Sequence, residues 1–135
     1  MGYKIVDVEG IGPAYAEKLS KAGVKTTTQL LKLAATPAGR KNLAQESGLS
    51  EKLILNWTNK ADLMRISGVG PQFSELLEAA GVDTVKELRT RNAGNLAEAM
   101  KATNEKKKLT RVSPPSSTVE KWVEAAKKLD ATITY

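Results

Sequence analysis

Val8–Leu30 and Ile66–Leu88 align without a gap at a constant offset of 58, with ten identities in 23 positions. The identical pairs are Gly10/Gly68, Gly12/Gly70, Pro13/Pro71, Glu17/Glu75, Leu19/Leu77, Ala22/Ala80, Gly23/Gly81, Val24/Val82, Thr26/Thr84 and Leu30/Leu88. A phrase repeated at this spacing specifies one supersecondary unit used twice, each copy too small to bury its apolar face alone. Further on the register shifts, because NLAQES at Asn42 matches NLAEAM at Asn95 and NWTNKADLM at Asn56 matches KWVEAAKKL at Lys121. The second copy therefore has a shorter link before one helix and a longer one after it. We expect repeat 1 with its trailing helices over 1–62 and repeat 2 over 63–135. A chain of 135 residues can bury a real core, so one compact body is expected.

Every periodic stretch is helical, which makes the expected class all-α. Pro13 and Pro71 stand where a first-turn proline removes no hydrogen bond, and Gly23 and Gly81 where a helix ends on a left-handed residue. Thr26–Ala35 and its counterpart Thr84–Arg91 follow as second helices. Pro37 opens another, stopped by Gly48, and a longer helix after Ser50 spaces Leu53, Trp57, Ala61 and Met64 on one face. The last helix presents Val119, Trp122, Val123, Ala126 and Leu129 on one side. Between them Lys106–Ser117, KKKLTRVSPPSS, breaks helix with two prolines and reads as a charged linker. Trp57 and Trp122, with Tyr15 and Phe73, fall at equivalent repeat positions and read as core packing.

Composition narrows the function classes. Without cysteine there is no disulfide framework or thiolate metal site, and without histidine zinc loses its other usual ligand. The N-terminus lacks a secretory apolar core and no apolar run is long enough for a bilayer, so a cytoplasmic protein without membrane partner is expected. The formal charge of +6, from 21 basic and 15 acidic side chains, mildly favours a polyanion. Nothing supplies a proton shuttle or an attacking thiol, the carboxylates are scattered, and no small-molecule substrate is implied; catalysis is not expected.

The repeated turn has its own logic. Two glycines allow positive φ and close approach of another surface, while Ile11 or Val69 between them plugs into the core. The helix that follows offers unpaired N–H groups and the positive end of its dipole, a seat for phosphate oxygens. Such a contact touches backbone only and reads no base.

VEGIGPAYAEKLSKAG and ISGVGPQFSELLEAAG resemble the helix-hairpin-helix motif, and the chain resembles a small group of uncharacterised bacterial proteins with two such hairpins. The resemblance implies a pseudo-two-fold helical domain, a bundle like the SAM and helix-hairpin-helix folds, binding duplex DNA without sequence preference. It also implies that a monovalent cation sometimes sits on hairpin carbonyls; no other cofactor is expected. Carried over by position, the phosphate-facing residues are Gly10, Ile11, Gly12 and Ala14, and Gly68, Val69, Gly70 and Gln72.

The two hairpins differ in charge. Lys18, Lys21 and Lys25 follow the first, whereas Glu75, Glu78 and Asp83 follow the second before any basic residue. The first is therefore expected to contact DNA and the second to be mainly architectural, with Arg65 just ahead of it as the one feature against this. Arg40 and Lys41 could extend a phosphate track or form a solvated face, and the same two readings apply to Lys106, Lys107, Lys108 and Arg111. A protein-docking module, using the hairpins only as joints, is the alternative from another class.

Overall fold

The computed structural model describes residues 2–135. Eight α-helices order the described chain: α1 (Pro13–Lys21), α2 (Thr27–Ala34), α3 (Pro37–Ser47), α4 (Glu51–Leu63), α5 (Pro71–Ala79), α6 (Val85–Leu88), α7 (Ala93–Lys107) and α8 (Ser116–Lys127). A 3-10 turn at Ile5–Asp7 precedes them. The described residues contain no strand, only an isolated bridge between Lys4 and Thr26. The class is all-α, as the periodicity predicts.

Local chemistry sets the ends. Pro13 and Pro71 open α1 and α5, and Pro37 opens α3 behind a Thr36 cap whose Oγ1 accepts from Gly39 N–H at 3.0 Å. Thr26 caps α2 reciprocally: its Oγ1 accepts from Gln29 N–H at 3.2 Å, and Gln29 Oε1 accepts from Thr26 N–H at 3.2 Å. Thr84 repeats half of this box, accepting from Glu87 N–H at 3.2 Å.

Backbone bonds recur at the sequence offset. Ile11 N–H donates to Val8 O at 3.0 Å, and Val69 N–H to Ile66 O at 3.0 Å. Val24 N–H reaches Leu19 O at 2.8 Å, and Val82 N–H reaches Leu77 O at 2.9 Å. Aromatic pairs recur as well: Tyr15 and Trp57 lie 5.1 Å apart between ring centroids, Phe73 and Trp122 5.2 Å, tilted by 53° and 55°. Equivalent residues at these positions, identical or similar in shape, therefore give matching turns and matching packing beneath them.

The chain divides into two compact units, Met1–Asp62 with Thr132–Tyr135, and Leu63–Ala131. The expected second segment, 63–135, is thus corrected at its end. Arg40 explains why. Its guanidinium is buried and donates to Ala34 O at 3.0 Å, to Ala35 O at 3.2 Å and to Thr134 O at 2.7 Å, while Thr134 N–H bonds Ala35 O at 2.8 Å. Tyr135 adds its ring over the guanidinium at 5.9 Å and its hydroxyl to Asn59 Oδ1 at 3.1 Å. Arg40 is accordingly neither a solvated cation nor part of a phosphate track; Lys41 beside it is exposed.

Two further expectations change. The counterpart of α2 is the single turn α6, because Asn92 already caps α7 by accepting from Asn95 N–H at 3.0 Å. Arg91, between them, is held by Gly81 O at 2.9 Å and Glu87 Oε1 at 3.1 Å. Lys106 and Lys107 are the last turn of α7 rather than linker, and the prolines lie too far downstream to end that helix. The loop behind it is fastened: Asn104 Nδ2 donates to Thr110 O at 3.0 Å and Asn104 Oδ1 accepts from Thr110 N–H at 3.0 Å. Pro114 is buried, so the segment is a built turn that presents Lys108 and Arg111 outward.

The core of the second unit joins Leu63, Ile66, Val69, Leu76, Leu77 and Leu88 to Met100, Val119 and Trp122. In the first unit Ile5, Val8, Ile11, Leu19, Leu30 and Trp57 are among the buried apolar residues.

Candidate functional site

The first turn is built around Gly10 and Gly12, and the two glycines have different reasons. Gly10 has φ of 90°, a left-handed conformation that strongly favours glycine, and a Cβ there would lie 3.5 Å from Trp57 Nε1. Gly68 does the same in the second unit, with φ of 93° and Trp122 Nε1 at 3.2 Å. Gly12, in contrast, has φ of −84° and ψ of −179°, which any residue adopts, and a Cβ there would meet nothing within 4 Å. The turn does not need glycine at position 12. The space beside the Gly12 Cα is empty of protein.

The amides sort the same way. Ile11 N–H and Val69 N–H are consumed inside their turns by Val8 O and Ile66 O, and both side chains are core. These two residues brace the turns and have no donor to offer a ligand, contrary to their expected place among the phosphate-facing residues. Gly12, Ala14 and Tyr15 head α1, where the first N–H groups have no intrahelical acceptor; the first such bond is Ala16 N–H to Gly12 O at 2.9 Å. Gly10, Gly12, Ala14 and Tyr15 are exposed, although the Tyr15 ring still packs, tilted, against Trp57.

Helical geometry divides the lysines. Ala14, Lys18 and Lys21 share one outward face of α1, one turn apart, while Tyr15 and Leu19 face the core. Lys18 and Lys21 are exposed, and Lys21 makes only a solvent-exposed contact of 3.4 Å with Glu17, worth little. Lys25 is also exposed but stands elsewhere, on the rim of a shallow depression lined by Lys4, Val6, Pro13 and Ser20. Two of the three lysines therefore continue the line of open amides and one does not.

The second turn is more enclosed. Leu76 occupies the repeat position of Lys18 and is fully buried, because α5 packs on α7; Gly70 is half-buried, and Gln72 alone of its candidates besides Gly68 is exposed. Arg65 is half-buried with a guanidinium N–H on Asp130 O at 3.1 Å, a structural bond that explains its place.

One residue escapes sequence reasoning. Lys60, on α4, is only 6% exposed and its Nζ donates to Glu9 O at 3.1 Å, lying 3.9 Å from where a Gly10 Cβ would be. The signal was available: Lys60 is three residues after Trp57, on the same helical face, where the second repeat carries Ala125. At the first turn the Glu9 carbonyl accepts from the Lys60 ammonium. Among the described residues no three His, Cys, Asp or Glu side chains group to hold a metal ion, and no helix is long and apolar enough to cross a membrane.

A family model described as "Domain of unknown function (DUF4332)" matches residues 9–129, from the first turn through the end of α8. The chain belongs to the DUF4332 family. Comparison with the curated proteins and with the solved structures found no match in either. The DUF4332 match thus spans both glycine turns and both tryptophans beneath them.

Proposed function

We propose that the chain binds the phosphate backbone of duplex DNA without sequence preference and without catalysis, through its first helix-hairpin-helix turn. One observation carries the reading: Gly12 is a glycine the turn does not require, beside open amides at Gly12, Ala14 and Tyr15. A phosphate oxygen approaching there accepts those N–H groups at the positive end of α1, and Lys18 and Lys21 continue the same face toward the next phosphate. The second turn, half-enclosed and followed by Glu75, Glu78 and Asp83, holds its unit together instead. Gly10, Gly68 and the recurring backbone bonds are explained by the turn itself, under this reading and under the protein-docking alternative alike.

A fluorescence-anisotropy titration with two duplexes of unrelated sequence tests it. The two dissociation constants are expected to agree within about threefold, since phosphates carry no sequence. With two or three phosphates neutralised, the log-log salt slope is expected near −2 to −3, at about 0.9 per phosphate. Absence of binding at about 50 mM salt contradicts the proposal and leaves the docking module.

A further inference from the structure

We infer that Lys60 is the buried cation that makes the first turn, and not the second, a seat for a phosphate oxyanion. The inference rests on the proposed DNA reading and adds a residue to it. Lys60 is only 6% exposed, and the partner of its ammonium is the uncharged Glu9 carbonyl. Among the described residues no carboxylate pairs with it. A buried ammonium ordinarily acquires an acidic partner, because removing the charge from water is expensive and one carbonyl satisfies only one of three donors.

The missing counter-charge has an obvious place to come from. The Lys60 Nζ lies on the turn itself, on Glu9 O and next to Gly10, two residues ahead of Gly12 in the chain. An anion seated on the amides of Gly12 and Ala14 is attracted by this ammonium, whose charge, being buried, is less screened by water than that of a surface lysine. The second turn repeats the glycines, the proline, the internal bonds and the tryptophan, yet has Ala125 in place of Lys60. The charge is the part of the device that was not duplicated. Lys60 acts through the turn rather than from its surface, so it is a positioning residue; the ligand it selects is a phosphodiester or another oxyanion, and bases play no part.

Lys60→Met and Lys60→Arg, measured beside the wild type with the full chain, test this. Lys60→Met keeps the length of the stem and removes the charge. Its urea midpoint is expected to equal or exceed that of the wild type, because a buried unpaired charge has been removed, while duplex affinity falls at least about tenfold and the salt slope shrinks by about 0.9. Lys60→Arg is expected to restore most of the affinity and the slope. Titration with inorganic phosphate, followed by the amide shifts of Gly12 and Ala14, is expected to saturate in the wild type and not in Lys60→Met. Lys60→Met with wild-type affinity and slope, alongside a wild type that binds duplex, overturns the role of Lys60 and leaves the DNA reading standing. A wild type that binds no duplex overturns that reading; phosphate saturation at Gly12 that depends on Lys60 then still supports the oxyanion seat, and its absence overturns both. A Lys60→Met protein whose midpoint drops along with its affinity, with the slope unchanged, assigns Lys60 a purely structural part and contradicts the inference.

Discussion

Trp57→Ala lowers the free energy of unfolding by about 3–5 kcal/mol, the largest single loss we expect from a side chain near the first turn. Trp57 is 2% exposed, stacks on Tyr15 at 5.1 Å, and carries the Nε1 against which Gly10 lies. Truncation therefore leaves a cavity directly under the turn, and the turn cannot collapse into it because Ile11 and Val8 are already core and already bonded to one another. Against a total stability of about 5–15 kcal/mol this is a large share. Urea unfolding followed by circular dichroism measures it. A loss below about 1 kcal/mol would mean that the indole does not support the turn.

Gly12→Asp is expected to move stability and binding in opposite directions. Position 12 is the N-cap of α1 and has no side chain to cap it. An aspartate there accepts the N–H of Ala14 or Tyr15 and opposes the helix dipole favourably, raising stability by several tenths to about 1 kcal/mol. The same carboxylate takes the amides a phosphate would use and adds like charge beside it. Hydrogen bonds to a charged acceptor are worth about 1.5–3 kcal/mol each, so losing one or more lowers duplex affinity by at least about tenfold. Gly70→Asp, at the enclosed second turn, serves as the control and is expected to leave affinity within about threefold. If Gly12→Asp binds as the wild type does, the open amides are only a helix end, and the docking alternative gains.

Much of the architecture was readable because the repeat marks its own corners. Pro13, Pro71, the two Gly-x-Gly turns and Thr26 each act on their nearest neighbours, and local chemistry is what a linear string records. Tyr15 and Trp57 are 42 positions apart, yet their pairing could be read from the parallel pair Phe73 and Trp122. Residues acting at long range without a repeated partner were not readable. Arg40 looks like a surface cation until Thr134, 94 positions later, returns to its guanidinium. Lys60 has only a faint signal, its place one turn after Trp57 on the same face of α4, and how deeply its charge is covered depends on what packs over that helix. Likewise the prolines at 114 and 115 signal a break correctly but not its position, which Asn104 fixes by holding Thr110. At the site itself the pattern pointed to Gly12 and Ala14, which are exposed. It could not show that Ile11 and Val69 have spent their amides inside the turn.

The proposed DNA contact runs through particular backbone nitrogens, and amide-resolved NMR reads them one by one. A titration of the labelled full chain with a short duplex at low salt is expected to shift Gly12, Ala14 and Tyr15, with the amides of Ile11 and Val69 nearly unmoved and those of Gln72 and Phe73 little changed. Shifts that spare residues 12–15 while the protein binds duplex elsewhere, or no shifts at any residue, would contradict it.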